Sequence, residues 1–212
     1  LNIFLAAKEC GVKRVVYASS SSIYGDSEVL PKVETMPLNP LSPYAAQKTM
    51  GEYYGKLYFK LFGLKTIGLR YFNVFGPRQD PNSEYSAVIP KFIRMILQDQ
   101  QPTINGDGET SRDFTFVKNV VNANLLACTA ENASGEVFNI ACGGRFSLKE
   151  LVTQINLILD KNIQPLFAEF RAGDVKHSLA DINKAKNLLG YTIGINFGEG
   201  LRKTVEYLKN GN

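Results

Sequence analysis

The sequence holds a single histidine, His177, in 212 residues. Zinc hydrolases and Ser-His-Asp enzymes each need an imidazole at a fixed place beside other ligands or a nucleophile, so this scarcity excludes most of both classes. Cysteine is almost as scarce. Cys10, Cys128 and Cys142 are odd in number and far apart, which fits three reduced thiols and neither a disulfide framework nor a zinc site; no metal is expected. No apolar stretch reaches membrane-spanning length. The opening L-N-I-F-L-A-A-K-E-C is too short for a signal peptide and lacks a basic leader and a small-residue cleavage site, so a cytoplasmic location without membrane contact is expected. Runs of like charge are also missing. The net charge of +4 comes from 24 basic and 20 acidic residues scattered along the chain, which argues against nucleic acid as a partner.

What is present is ordinary globular composition, 44% hydrophobic and 21% charged, enough to bury a core. The chain opens inside an amphipathic helical pattern that Gly11 ends. V-K-R-V-V-Y-A-S-S then reads as a buried strand running into consecutive serines. After a proline-marked loop, Ser42 caps a helix whose first residue is Pro43 and whose stop is Gly63. Its aromatics fall on more than one face. K-T-I-G-L-R-Y-F-N-V reads as a second strand, and a helix is expected from Ala87 to Gln100. T-I-N-G-D-G-E-T suggests a short strand and turn, S-R-D-F-T-F-V an extended piece, and Lys118 to Ala130 a helix. E-V-F-N-I-A is a third buried strand, Ser147 with Glu150 a capping box for a helix to about Leu159, and 165–170 an extended stretch. Helices at about Ile182–Leu189 and Gly198–Lys209 complete the chain. Strands separated by such helices predict an α/β fold with a parallel sheet.

Each strong strand ends in an unusual loop: S-S-S-S-I-Y-G-D, F-N-V-F-G-P-R-Q and C-G-G-R. Ligands of open parallel sheets bind outside the carboxyl ends of the strands, so the three loops are expected to line one crevice. Beside it lies S-P-Y-A-A-Q-K, where Tyr44 and Lys48, four apart, share a helix face. A free tyrosine titrates near pH ~10, about three units above neutrality. A lysine one turn away and a bound cationic cofactor ring both favour a phenolate, and a strand-end serine hydroxyl adds a partner for the substrate oxygen. Together Ser, Tyr and Lys suit removal of a proton from an alcohol whose carbon loses hydride. The Tyr-x-x-x-Lys spacing alone is weak, because an exposed lysine beside a packed aromatic produces it too.

A-S-S-S-S-I-Y-G-D, S-P-Y-A-A-Q-K, L-R-Y-F-N-V-F-G-P-R-Q, I-N-G-D-G-E-T-S-R-D-F, N-I-A-C-G-G-R and R-A-G-D-V-K-H-S-L-A-D-I, in this order, resemble the extended short-chain dehydrogenase/reductase family, specifically its nucleotide-sugar epimerases. The resemblance covers essentially the whole chain. It implies the C-terminal part of a Rossmann-type parallel sheet plus a smaller mixed α/β substrate-binding domain. Residues 1–75, with 115–142 returning, would belong to the NAD-binding domain, and 76–114 and 143–212 to the substrate-binding domain.

Carried over by position, the resemblance makes Tyr44 the general acid/base and Lys48 its partner and a ligand of the nicotinamide ribose. Ser20 takes the place of the catalytic Ser/Thr. Ser21 and Ser22 would contact the sugar, where the plainer reading is a polar strand-end turn. Val74 lies where the family's backbone meets the nicotinamide. Asn73 and Gln79 would touch the diphosphate and sugar side, or simply hydrogen-bond within their loop. Arg112 and Arg171 would hold the diphosphate and nucleotide, a task that suits a forked guanidinium; alternatively they form surface ion pairs with Asp113 or Asp174. Ser178 lies near the sugar's C2 substituent and leaves room for an N-acetyl group, while His177 reads as a hydrogen-bonded loop residue. The implied reaction is transient oxidation of a UDP-sugar at C4: the phenolate takes the 4-hydroxyl proton as hydride passes to NAD, the 4-keto sugar turns, and both return on the opposite face. UDP-N-acetylglucosamine is the favoured substrate, with UDP-glucose and uronic acid forms open, and a homodimer through the Pro43 helix and the helix before it is implied.

Three alternatives stand beside this reading. Sugar-nucleotide 4,6-dehydratases and decarboxylases of the family place an acidic residue just after the catalytic Ser or Thr, where this chain has Ser21 and Ser22. Catalytically silent NAD-binding relatives typically lose the tyrosine or the lysine, and both are present. The third is an inert fragment: the Gly-rich phosphate loop G-x-x-G-x-x-G does not occur. About half of a dinucleotide-binding sheet is therefore expected upstream of Leu1, the strand at 12–19 is expected to present an open edge, and the 212 residues alone are expected to bind NAD very weakly and turn over nothing measurable.

Overall fold

The computed structural model describes residues 1–80, 88–170 and 176–210. In chain order its principal elements are α1 (Asn2–Glu9), β1 (Arg14–Ser20), a 3-10 turn (Ser21–Tyr24), α2 (Pro43–Phe62), β2 (Lys65–Tyr71), β3 (Val74–Phe75), α3 (Val88–Leu97), β4 (Thr103–Asn105), β5 (Ser111–Arg112), β6 (Thr115–Phe116), α4 (Val117–Thr129), β7 (Glu136–Ile140), β8 (Phe146–Ser147), α5 (Leu148–Leu159), β9 (Leu166–Ala168), α6 (Asn183–Leu189) and α7 (Phe197–Lys209). The main sheet is parallel, in the order β1-β2-β7. Ser20 pairs with Tyr71 and Tyr71 with Ile140, so the three strands finish level and their following loops open on one edge, as the strand-end motifs predict.

The crossover from β1 to β2 is α2, and its ends follow local chemistry. Ser42 Oγ accepts the Ala45 N–H at 3.1 Å, Pro43 fills the first turn, and Gly63 closes the helix at φ 68°. The helix lies very close to the sheet. A Cβ on Gly55 of α2 or Gly68 of β2 would stand 2.6 or 2.7 Å from the Tyr17 hydroxyl of β1, so the ring fits only because both neighbours are glycine. Tyr17 also meets Phe4 of α1 edge-on, with centroids 5.4 Å apart.

The structure departs from two expectations. The single strand expected over 65–74 is split: at Asn73 the backbone turns to φ +33°, and Val74–Phe75 pairs in parallel with β6 instead of with the main sheet. The first strand, expected to be buried, is mostly half-buried, because among the described residues only one of its edges is paired. Of the helix expected from Ala87, the first residue lies outside the described residues.

Apolar side chains gather in two main cores. In one, Ile67, Leu69, Phe138 and Ile140 of the sheet pack on Val120, Ala123 and Ala127 of α4 and on Ala180, Ile182, Ala185, Leu189 and Tyr191 around α6. The segment around α6, assigned with the substrate-binding part on sequence grounds, thus contributes its side chains to the sheet core. In the other, α3, α5 and α7 surround Phe75, Phe114, Phe116 and Phe197. Among the described residues no helix is long and apolar enough to cross a membrane.

Candidate active site

Tyr44 stands on the first turn of α2 and is 55% exposed. Lys48 lies one turn on, with Nζ 5.5 Å from the Tyr44 ring centroid. The same ammonium donates to the Ala18 carbonyl at 3.0 Å, which ties the helix face to the end of β1. Two residues further along β1, Ser20 caps the 3-10 turn: its Oγ accepts the Ser22 N–H at 3.2 Å and the Ser22 hydroxyl at 2.9 Å. Lys48, with Tyr44 beside it, is thus tied to the strand that ends in Ser20.

Beside them is a cavity of about 270 Å³ lined by Ser21, Ser22, Tyr24, Gly25, Lys32, Phe72, Asn73, Arg112, His177 and Ser178. Five of the expected substrate residues are in this wall. Asn73 Nδ2 donates to Ser178 Oγ at 3.3 Å and to the Asp113 carbonyl at 3.2 Å, joining positions 105 apart in sequence. Arg112 donates to the Ser111 and Lys176 carbonyls at 3.0 and 3.2 Å. Its alternative partner, Asp113, is fully buried and spends its carboxylate on the backbone N–H groups of Cys142, Gly143 and Ala180, at 2.9, 3.0 and 3.2 Å. Burial nevertheless pushes that carboxyl up to about 6, against the pull of those three donors. Val74 opens β3 directly after Asn73 and Gln79 lies on the loop that follows, with Gln79 Nε2 3.4 Å from the Val74 carbonyl. Arg171 lies outside the described residues. A larger cavity of about 440 Å³, between α5 and residues 161–167, contains none of the expected residues, and Tyr44, Lys48 and Ser20 line neither cavity.

The wall also holds groups that motif reading passed over. His177, expected to be a hydrogen-bonded loop residue, has Nδ1 2.9 Å from Ser111 Oγ and lines the cavity as well, and burial, then Arg145, Lys176 and Arg112, hold its imidazole below the usual range. Lys32 is only 3% exposed, its ammonium donates to the Ser27 carbonyl, and burial lowers its pKa despite nearby Asp26. Its backbone bonds both Leu179 and Asp181, drawing the proline-rich loop against the segment that carries Ser178. No spacing in the sequence signals that contact. Tyr24 is the second tyrosine at the site, and burial pushes its hydroxyl up to about 12. That hydroxyl donates to Asn139 Oδ1 and accepts from Arg70, both at 2.7 Å, so Tyr44 is the tyrosine open to a ligand.

The residues expected to meet the nicotinamide end of NAD fit that group chemically. Lys48 uses one of three N–H donors on Ala18, leaving two for ribose hydroxyls. On the side expected to meet the substrate, Gln79 Oε1 is buried with no hydrogen-bond partner among the described residues, an acceptor suited to a sugar hydroxyl.

A parallel sheet with a Tyr/Lys helix and a serine at one strand end is the arrangement that the resemblance to nucleotide-sugar epimerases leads one to expect. The sequence profile of the NAD dependent epimerase/dehydratase family matches residues 1–141, and the chain belongs to that family. It is 38% identical over 206 residues to a UDP-glucose 4-epimerase of Mycolicibacterium smegmatis, covering 97% of this chain and 65% of the relative. The structure of a UDP-N-acetylglucosamine 4-epimerase from Methanobrevibacter ruminantium, in complex with UDP-N-acetylmuramic acid, superposes with a TM-score of 0.95 at 42% identity, covering 100% of this chain and 67% of that one. That of a UDP-glucuronic acid 4-epimerase from Bacillus cereus, with UDP-glucuronic acid and NAD, does so with a TM-score of 0.90 at 32% identity, covering 99% and 66%. A UDP-glucuronic acid decarboxylase of Xenopus tropicalis is 33% identical, covering 99% of this chain and 50% of the relative. The chain thus spans about two thirds or less of the length of these relatives.

Proposed function

We propose that the protein epimerises C4 of a UDP-hexose by transient oxidation, and that UDP-N-acetylglucosamine and UDP-N-acetylgalactosamine are its substrate pair. The observation that carries the reading is the exposed Tyr44 beside Lys48, with Lys48 tethered to the strand that ends in Ser20. In this reading Tyr44 takes and returns the 4-hydroxyl proton, Lys48 holds the cofactor ribose and supplies positive charge to the phenol, and Ser20 hydrogen-bonds the same sugar oxygen. Val74 meets the nicotinamide through its backbone. NAD, when bound, supplies the acceptor and donor of the C4 hydride. Ser21, Ser22, Asn73 and Gln79 hold the sugar and diphosphate, Arg112 and Arg171 the diphosphate and nucleotide, and Ser178 leaves space beside C2. Residues 1–75 and 115–142 serve the cofactor side, 76–114 and 143–212 the substrate side, and the reaction is assigned to the cytoplasm.

The N-acetyl preference is supported by the small Ser178 in the cavity wall and by the likeness to the Methanobrevibacter enzyme. Against dehydration or decarboxylation stands the absence of a carboxylate after Ser20, where Ser21 and Ser22 line the cavity. A homodimer is supported by apolar side chains left exposed on α2, Met50, Tyr53, Leu57 and Leu61, and on α1, Ile3 and Leu5. Light scattering of the whole protein tests this; a monomer contradicts it.

The deciding experiment offers the whole protein a panel of UDP-sugars and follows 4-epimer formation by NMR. Conversion is expected, strongest with the N-acetylated pair, and Tyr44→Phe should lower kcat by a factor of about 10² to 10⁴. A folded, NAD-bearing protein that converts none of the panel overturns the reading.

A further inference from the structure

Beneath α2 a polar rung crosses the sheet. Ser19, Arg70 and Asn139 sit side by side in register on β1, β2 and β7. All three are buried, at 2%, 2% and 0% exposure. Glu52, itself 7% exposed, reaches down from α2: Oε1 accepts from Ser19 Oγ at 2.5 Å and Arg70 Nε at 2.9 Å, and Oε2 from Arg70 Nη2 at 2.7 Å. The far side of the guanidinium donates to the Tyr24 hydroxyl, which donates in turn to Asn139. Asn139 Nδ2 then donates to the Lys32 and Asp181 carbonyls at 2.9 and 3.3 Å.

A buried ion pair is a poor source of stability, because removing two charges from water costs about as much as their attraction returns. Its geometry, by contrast, is demanding. Glu52 follows Tyr44 and Lys48 at four-residue steps on the same helix, so fixing its carboxylate in the Arg70 fork fixes the rotation and axial position of the turns that carry both. The rung also holds the chain on either side of Ser20, at Ser19 and at Tyr24. It therefore grips the helix and the serine loop from one point on the sheet.

We propose that Glu52 and Arg70 are positioning residues, whose fork sets Tyr44 and Lys48 in register with Ser20 for proton transfer. The inference rests on the functional reading above, and its test separates the two. In the whole, NAD-loaded protein, the double variant Glu52→Leu with Arg70→Met removes both charges together, so that neither is stranded. It should unfold at nearly the unsubstituted temperature, keep KM within about twofold, and lose kcat by a factor of about 10 to 100, the scale expected of a small misplacement of reacting groups. Glu52→Gln, which keeps the side chain's size but strands the Arg70 charge, should show the same split between kcat and KM at a lower unfolding temperature. Hydrogen exchange followed by mass spectrometry should accelerate at residues 43–50 in both variants and remain unchanged over α7. A kcat within about twofold of the unsubstituted value in folded variants, or unaltered exchange at 43–50, overturns the proposal. If the unsubstituted protein converts no UDP-sugar, the functional reading fails while the exchange measurement still decides the positioning.

Discussion

Two regions of this molecule, the core around α3, α5 and α7 and the layer between α2 and the sheet, are built on opposite principles. Around α3, α5 and α7 the packing is dry and aromatic: Phe197 stacks on Phe146 at 4.0 Å and Phe114 at 5.5 Å and meets Phe75 edge-on at 5.8 Å. Beneath α2 the sheet is threaded by Ser19, Glu52, Arg70, Tyr24 and Asn139, each hydrogen-bonded to the next. Area burial is non-directional, whereas a forked ion pair in a low-dielectric interior is satisfied in one geometry. The contrast separates a region that has to cohere from one that has to hold a geometry.

Single truncations should make the two regions look alike, and repair should tell them apart. Phe197→Ala opens a cavity among stacked rings and should cost about 3–5 kcal/mol in urea unfolding. Arg70→Met strands the Glu52 carboxylate and should cost about 3–5 kcal/mol as well. Adding Glu52→Leu should recover most of the loss in the second case, because the stranded charge goes with it. Failure to recover would make the ion pair a net stabiliser, and the contrast between the regions would collapse.

Asp113 joins the regions, since it lies between β5 and β6 and binds the loop after β7 and Ala180. Its carboxyl is raised from 3.8 to about 6 in the folded protein. Between those values the native state therefore binds more proton than the unfolded chain. The associated stability is complete below pH 3.8 and is lost as pH rises through about 6. A displacement of this size corresponds to about 3 kcal/mol. Urea unfolding between pH 4 and 7 should show that decline in the unsubstituted protein, beyond whatever slope Asp113→Asn retains. Equal slopes would remove Asp113 as the cause.

Where local chemistry decides, the sequence is easy to read. Ser42, Pro43 and Gly63 announce both ends of α2; Ser147 and Glu150 form the expected capping box; the three strands end level with their loops on one edge. Where partners are remote, it is silent. Glu52 reads as an ordinary charged residue on a helix until β2 brings Arg70 beneath it, 18 positions away. Lys32 and His177 reach the cavity through contacts with Leu179 and Ser111 that no periodicity encodes. The break at Asn73 escapes pattern reading for a related reason: Phe72 and Val74 continue an apolar run, and only pairing with Thr115 shows that the chain has left the sheet. The roles expected of Tyr44, Lys48 and Ser20 rest on family resemblance, because many unrelated helices carry a tyrosine and a lysine four residues apart.

The smallest effect offers the sharpest comparison. Ser42 and Ser147 make the same bond, each Oγ accepting a backbone N–H three residues on, at 3.1 and 3.2 Å. Either replaced by alanine should cost about 1 kcal/mol of stability. Only Ser42, however, caps the turn that carries Tyr44, about two turns before the Glu52 fork on the same helix. Ser42→Ala should therefore lower kcat severalfold with KM little changed, while Ser147→Ala, capping α5 beside the aromatic core, should leave kcat untouched at equal thermal cost. Matching kcat values in the two variants would mean that the rung alone holds the first turn, and that the cap there contributes stability and nothing to placement.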